Sequence, residues 1–104
     1  MAHPYHHAVS SARQFGGVPE DYQAIHDWFD QTKAHVADGR HRLILHNSFG
    51  IFLAEQMFGI VINNSAGRAV PVRLIAEQHV KEDFGGHIPT LADIIDLFPL
   101  QPWM

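Results

Sequence analysis

The sequence predicts a mainly α fold: a small helical domain around a buried central helix, with one β-hairpin. Three observations carry this. Glycine and proline punctuate the chain at Gly16-Gly17, Gly39, Gly59, Gly85-Gly86 and Pro89, and helical patterns fill most of the intervals. The stretch 41–58 is the longest helical candidate and is nearly all apolar. A turn-rich run, Asn63-Asn64-Ser65-Ala66-Gly67, separates two short apolar segments in the manner of a hairpin. At 104 residues the chain has room for one domain, 1–104, with one modest core.

In chain order, 4–15 reads as a short helix stopped by Gly16. Pro19-Glu20-Asp21 makes a good first turn, with proline and acids at the positive end of a helix running to about Thr32. The helix 41–58 ends at Gly59. Strands at 60–63 and 69–72 follow, and Pro71 makes the second an edge strand. A helix at 73–84 closes at Gly85. Thr90 caps a last short helix through about Leu97, with Asp93 at the reciprocal capping position.

Composition excludes several classes. The chain has no cysteine, so disulfides, thiolate metal sites and cysteine nucleophiles are ruled out. Net charge is -4 with histidine neutral, which argues against a nucleic-acid partner. Apolar runs are too short for a membrane span. No basic segment leads into an apolar one at the N-terminus, so a cytoplasmic location is expected. The conspicuous feature is nine histidines. His3, His6 and His7 resemble a purification tag, but the other six are dispersed through the chain.

A helix over 41–58 is apolar around nearly its whole circumference and is therefore expected to be buried on all sides. Its polar residues then become informative. His41, Ser48 and Glu55 fall within about 40° of one another at 100° per residue. His46 lies on a different stripe with Gly50, and Gly50 implies close approach of another group at a cost of roughly 1 kcal/mol against alanine. A buried Glu55 needs an arginine, a histidine or a metal, and Arg73 is the ordinary candidate partner.

Two His-x-x-x-Asp pairs, His26/Asp30 and His79/Asp83, each put imidazole and carboxylate one helical turn apart. These are the ligands that zinc, manganese, iron or nickel accept where no thiolate is present. The candidate metal ligands are His41, His46, His79, Asp83, His26 and Asp30. Lys33, Arg40, Arg42 and Arg73 are candidate anion-binding groups, and Glu55 and Glu77 are candidate general bases. A metal beside an anion cradle is the minimum equipment for phosphate-ester hydrolysis.

The motifs Arg40-His41-Arg42-x-x-x-His46, Glu77-Gln78-His79-Val80-x-Glu82-Asp83 and Gln101-Pro102-Trp103-Met104 resemble a family of small uncharacterised bacterial and phage proteins. The resemblance covers nearly the whole chain and implies no particular reaction. A weaker resemblance is to the HD phosphohydrolases, helical proteins with His, His-Asp and Asp metal ligands. His26, His46 and Asp83 occur in comparable order, and Asn47 stands where the second motif has aspartate.

The expected function is divalent-metal binding, with metal-assisted hydrolysis of a phosphorylated small molecule or nucleotide as the activity. The alternative is a non-catalytic accessory protein that captures a ligand or partner. A third reading takes the histidines as packing residues alone. Neutral imidazole ligands would release the ion below about pH 6.

Overall fold

The computed structural model describes residues 3–104. Helix α1 spans Pro4–Phe15, α2 Gln23–Phe29, α3 Ser48–Phe58, α4 Val72–Asp83 and α5 Leu91–Ile95. Single-turn 3-10 segments occupy Pro19–Asp21, Gln31–Ala34 and Gly39–Leu43. The fold is mainly helical with one antiparallel hairpin, β1 (Val61–Asn63) and β2 (Ala69–Pro71), in which Ile62 faces Val70.

The central helix is α4. It packs against α1, α2 and α3 and buries Val72, Ile75, Ala76, Gln78, His79 and Val80. Around it the core takes Ala8 and Phe15 from α1, Tyr22, Ile25 and Phe29 at α2, and Ile51 and Ala54 from α3. Each large apolar side chain fully buried there contributes roughly 1.5–3 kcal/mol.

The continuous helix expected over 41–58 is two elements. A 3-10 turn ends at Leu43, and α3 starts at Ser48. Asn47 makes the break. Its backbone is extended, its Oδ1 accepts from the N–H groups of Phe49 and Gly50, and its Nδ2 donates to the carbonyls of Leu43 and Ile44. An asparagine able to cap one helix while closing the preceding turn competes successfully with helical propensity. Nor is α3 buried all round: Phe49, Phe52 and Met57 are exposed, Gly50, Ile51 and Ala54 are buried, and Leu53 and Phe58 pack partly buried against the core. The helix expected over 19–32 is likewise divided into a 3-10 turn, α2 and a second 3-10 turn.

Gly50 does serve a close approach. A Cβ there would lie 1.6 Å from the Leu45 carbonyl oxygen. The approaching group is the chain's own turn, the one that carries His46. Thr90 and Asp93 form the expected capping box on α5. Beyond α4, no residue from 85 to 104 is fully buried. No helix among the described residues is long and apolar enough to cross a membrane.

Candidate metal centre

Three segments remote in sequence deliver four side chains to one buried point. Asp30 is the C-terminal cap of α2. His46 stands in the turn that Asn47 closes. His79 and Asp83 lie one turn apart on α4, on the face packed against the other helices. His79 and His46 are fully buried, and the Asp30 and Asp83 side chains are 4% and 1% exposed.

The atoms that converge are Asp30 Oδ1, His46 Nε2, His79 Nε2 and Asp83 Oδ2, all within 4.8 Å of one another. His46 Nε2 lies 2.8 Å from Asp83 Oδ2, 3.1 Å from His79 Nε2 and 3.4 Å from Asp30 Oδ1. His79 Nε2 lies 3.3 Å from Asp30 Oδ1 and 3.4 Å from Asp83 Oδ2. A tetrahedral ion bound at 2.0–2.2 Å separates neighbouring donors by roughly 3.3–3.5 Å. Four of these five edges, at 3.1–3.4 Å, are close to that, and the 2.8 Å edge between His46 and Asp83 would have to open slightly around an ion. Two carboxylates balance its charge, as burial of a cation requires. Aromatic rings make the surroundings dry: Phe29 stacks on His79 at 5.0 Å between centroids, and Phe84 lies 5.8 Å from His46.

A second layer holds these side chains. Asp83 presents Oδ1 to His7 Nε2 at 3.2 Å and to Arg42 Nη2 at 3.4 Å. His7 Nδ1 meets Glu82 at 2.8 Å. His26 Nδ1 lies 2.9 Å from His79 Nδ1, and His26 Nε2 lies 2.7 Å from Ser11 Oγ. His41 Nδ1 donates to the Asp38 carbonyl at 2.8 Å. Its Nε2 is then a bare lone pair, buried without a hydrogen-bond partner, 3.7 Å from Asp30 Oδ1. Asp30 Oδ2 and His46 Nδ1 are likewise buried without hydrogen-bond partners.

The electrostatics follow. Burial pushes the Asp30 and Asp83 carboxyls up, but hydrogen bonds with His46, and for Asp83 also with His7, outweigh it and hold both well below the usual carboxylate range. Burial, helped by the neighbouring His79 and His7, holds His26 down to about 2, so it is neutral. Burial also pulls His7 down, but hydrogen bonds to Asp83 and Glu82 prevail and leave it above its ordinary value.

The family model described as a domain of unknown function, DUF6915, matches residues 2–104. The chain belongs to that family. No curated protein and no solved structure matches it.

In this DUF6915 chain the expected residues divide. Asp30, His46, His79 and Asp83 come together, with His41 beside them. His26, expected to share a face with Asp30 as a ligand, backs His79 instead. This happens because α2 ends at Phe29 and the backbone of Asp30 leaves the helix. Asn47 caps α3 and does not join the cluster. Glu55, expected to be buried and paired with Arg73, is half-buried. Arg73 binds Glu77 at 3.0 Å, and all three line a separate cavity of about 240 Å³ with Ser48, Ile51 and Phe52. The four expected anion-binding cations do not converge. Lys33 lies 3.7 Å from Asp30, Arg40 grips Asp38 at 2.7 Å, Arg42 faces Asp83, and Arg73 holds Glu77. Sequence reasoning misses His7, Ser11 and Gln78. The only signal for His7 is the run Ala8, Ser11, Phe15, which shares one helical face with it.

Proposed function

We propose that this protein holds one divalent metal ion through Asp30, His46, His79 and Asp83, and that the ion serves chiefly to tie α2, α3 and α4 together. The observation that carries this is the convergence of four buried acceptor atoms at tetrahedral spacing. Two carboxylates packed this closely need positive charge among them, which a proton on an imidazole or a divalent ion supplies. Zinc fits best: two imidazole nitrogens and two carboxylate oxygens in a closed four-donor shell suit a structural zinc site. Manganese, iron and nickel accept the same donors.

A second reading, metal-assisted hydrolysis of a phosphorylated small molecule or nucleotide, has one observation in its favour. A cavity of about 770 Å³, lined by Thr32, His35, Val36, Arg40 and Ile44 among others, has His41 in its wall. His41 Nε2 lies 3.7 Å from Asp30 Oδ1. In this reading Arg40 and Lys33 would receive the anion, and Glu55 or Glu77 would be the base. Those glutamates line another cavity, and the cations are already paired, so the closed centre is the better supported role.

Elemental analysis of untagged protein should give one ion per chain. At pH 7.5, zinc at a hundredfold excess over its Kd should stabilise the fold by about 2.7 kcal/mol over the chelator-treated protein, a rise in Tm of about 10–20 °C. A melting temperature indifferent to metal rejects the metal reading. Turnover of a phosphodiester or nucleotide panel by the loaded protein would establish the catalytic reading over the structural one.

A further inference from the structure

An imidazole binds a metal only through a nitrogen that carries no proton, and which nitrogen that is depends on the hydrogen bond the other one makes. Here that dependence can be followed through four side chains. Gln78 Nε2 donates to the His7 carbonyl and to Glu82 Oε1, both at 3.0 Å. Two acceptors on that side fix the amide orientation, so Gln78 Oε1 faces Ser11 Oγ at 2.6 Å. Ser11 Oγ also lies 3.1 Å from the His7 carbonyl, which already accepts from Gln78, so the single hydroxyl proton of Ser11 goes to the nearer Gln78 Oε1; with either acceptor the hydroxyl donates away from His26. Ser11 Oγ is then left to accept from His26 Nε2 at 2.7 Å. His26 is wholly buried and stacked beside two other imidazoles, His7 and His79, at 5.5 and 5.1 Å. Such surroundings keep it neutral, so with its proton on Nε2 its Nδ1 is bare. His79 Nδ1, 2.9 Å away, must therefore carry the proton that joins them. In the neutral ring the remaining nitrogen, His79 Nε2, is then the bare one, and it faces Asp30, His46 and Asp83. The reverse direction fails at its far end. A proton on His79 Nε2 would require His26 to donate from Nδ1 and accept at Nε2 from Ser11, leaving Gln78 Oε1 buried against a hydroxyl oxygen with no proton between them.

We propose that Gln78, Ser11 and His26 form a one-way hydrogen-bond relay that locks His79 in its Nδ1–H tautomer, so that Nε2 is presented to a divalent ion before the ion arrives. Ser11 and His26 are positioning residues acting through His79. The role of the relay in binding rests on the metal reading above, but the tautomer itself does not.

The test uses the metal-free protein with isotope-labelled histidine rings. Long-range proton–nitrogen correlation spectra should show His79 protonated at Nδ1 and bare at Nε2. In the Ser11→Ala protein this preference should relax to a mixture, and the Kd for cobalt, read by competition with a chromogenic chelator, should rise about 10–100-fold. Ser11→Thr, which keeps the hydroxyl, should restore both. His79 protonated at Nε2 in the metal-free wild-type protein overturns the proposal, as does a Ser11→Ala protein with unchanged tautomer and Kd. If Ser11→Ala does not fold, the wild-type tautomer still decides. A wild-type protein that binds no cobalt would reject the metal reading while leaving the tautomer measurement to judge the relay.

Discussion

Asp83 uses its two carboxylate oxygens in opposite directions, Oδ2 toward His46 and His79, Oδ1 toward His7 and Arg42. Buried titratable groups at this density give the metal-free protein a pH dependence whose windows separate by residue. His26 has its folded value depressed from 6.5 to about 2. Above pH 6.5 it is neutral in both states. As pH falls below 6.5 the unfolded chain takes a proton that the folded one refuses, so stability declines by about 1.4 kcal/mol per pH unit. His7 has its folded value raised, so its contribution is complete below 6.5 and fades as pH rises through that raised value. Asp30 and Asp83 are depressed, and their contributions begin to fade only as pH falls below about 4. Urea unfolding with chelator present should therefore show decline between pH 6.5 and 4.5, and His26→Asn should flatten it; an unchanged slope contradicts the assignment to His26. Much of this site is legible from composition and spacing. His79 and Asp83 announce themselves as an i, i+4 pair on a helix that does form. His7 is not legible, because beside His3 and His6 it looks like part of a tag. Nor are the roles of His26 and Ser11, because they depend on a partner on another helix.

At the scale of elements, the decisive residues are the ones that interrupt. The apolar stretch 41–58 satisfies a helical pattern, yet Asn47 divides it and so turns His46 inward on a tight turn. The signal lay in the sequence as an Asn-Ser pair at a good N-cap position, but within an apolar run the periodicity outweighed it. The helices at 4–15 and 73–84, the hairpin and the Thr90 cap were legible because local signals and tertiary packing agree there. Where propensity conflicts with a cap or a turn, as at Asp30 and Asn47, the sequence pattern misleads, and these are the points that position the metal centre. Gly50 shows how tightly the turn is held. Gly50→Ala would normally favour a helix by roughly 1 kcal/mol. Here its Cβ would overlap the backbone of Leu45, at 1.6 Å from the oxygen and 2.4 Å from the carbonyl carbon. The substitution should instead destabilise by about 3 kcal/mol or more and displace His46. Urea unfolding and metal titration of the variant check both effects, and a stabilised variant with normal binding would refute this account of the turn.

The whole molecule is elongated, 52 × 25 × 23 Å, with a radius of gyration of 14.4 Å against about 13 Å for a compact chain of this size. In the C-terminal segment Leu97, Phe98, Leu100 and Trp103 are exposed. The candidate metal centre lies in the helical body at residues 30, 46, 79 and 83, and in a chain without cysteine an ion bound there would be a strong tie between distant segments. The enclosure of these ligands has a kinetic meaning. An ion in a sealed chamber can depart only when a wall swings aside, so its escape times the breathing of the helices and not the hunger of whatever waits outside. With a chromogenic chelator in rising excess, the release rate should climb and then level off at the opening rate of the packed body. A rate that keeps growing in proportion to chelator would mean that the chelator reaches the ion through the folded protein. A plateau makes the metal a clock built into the fold, with one tick for each opening.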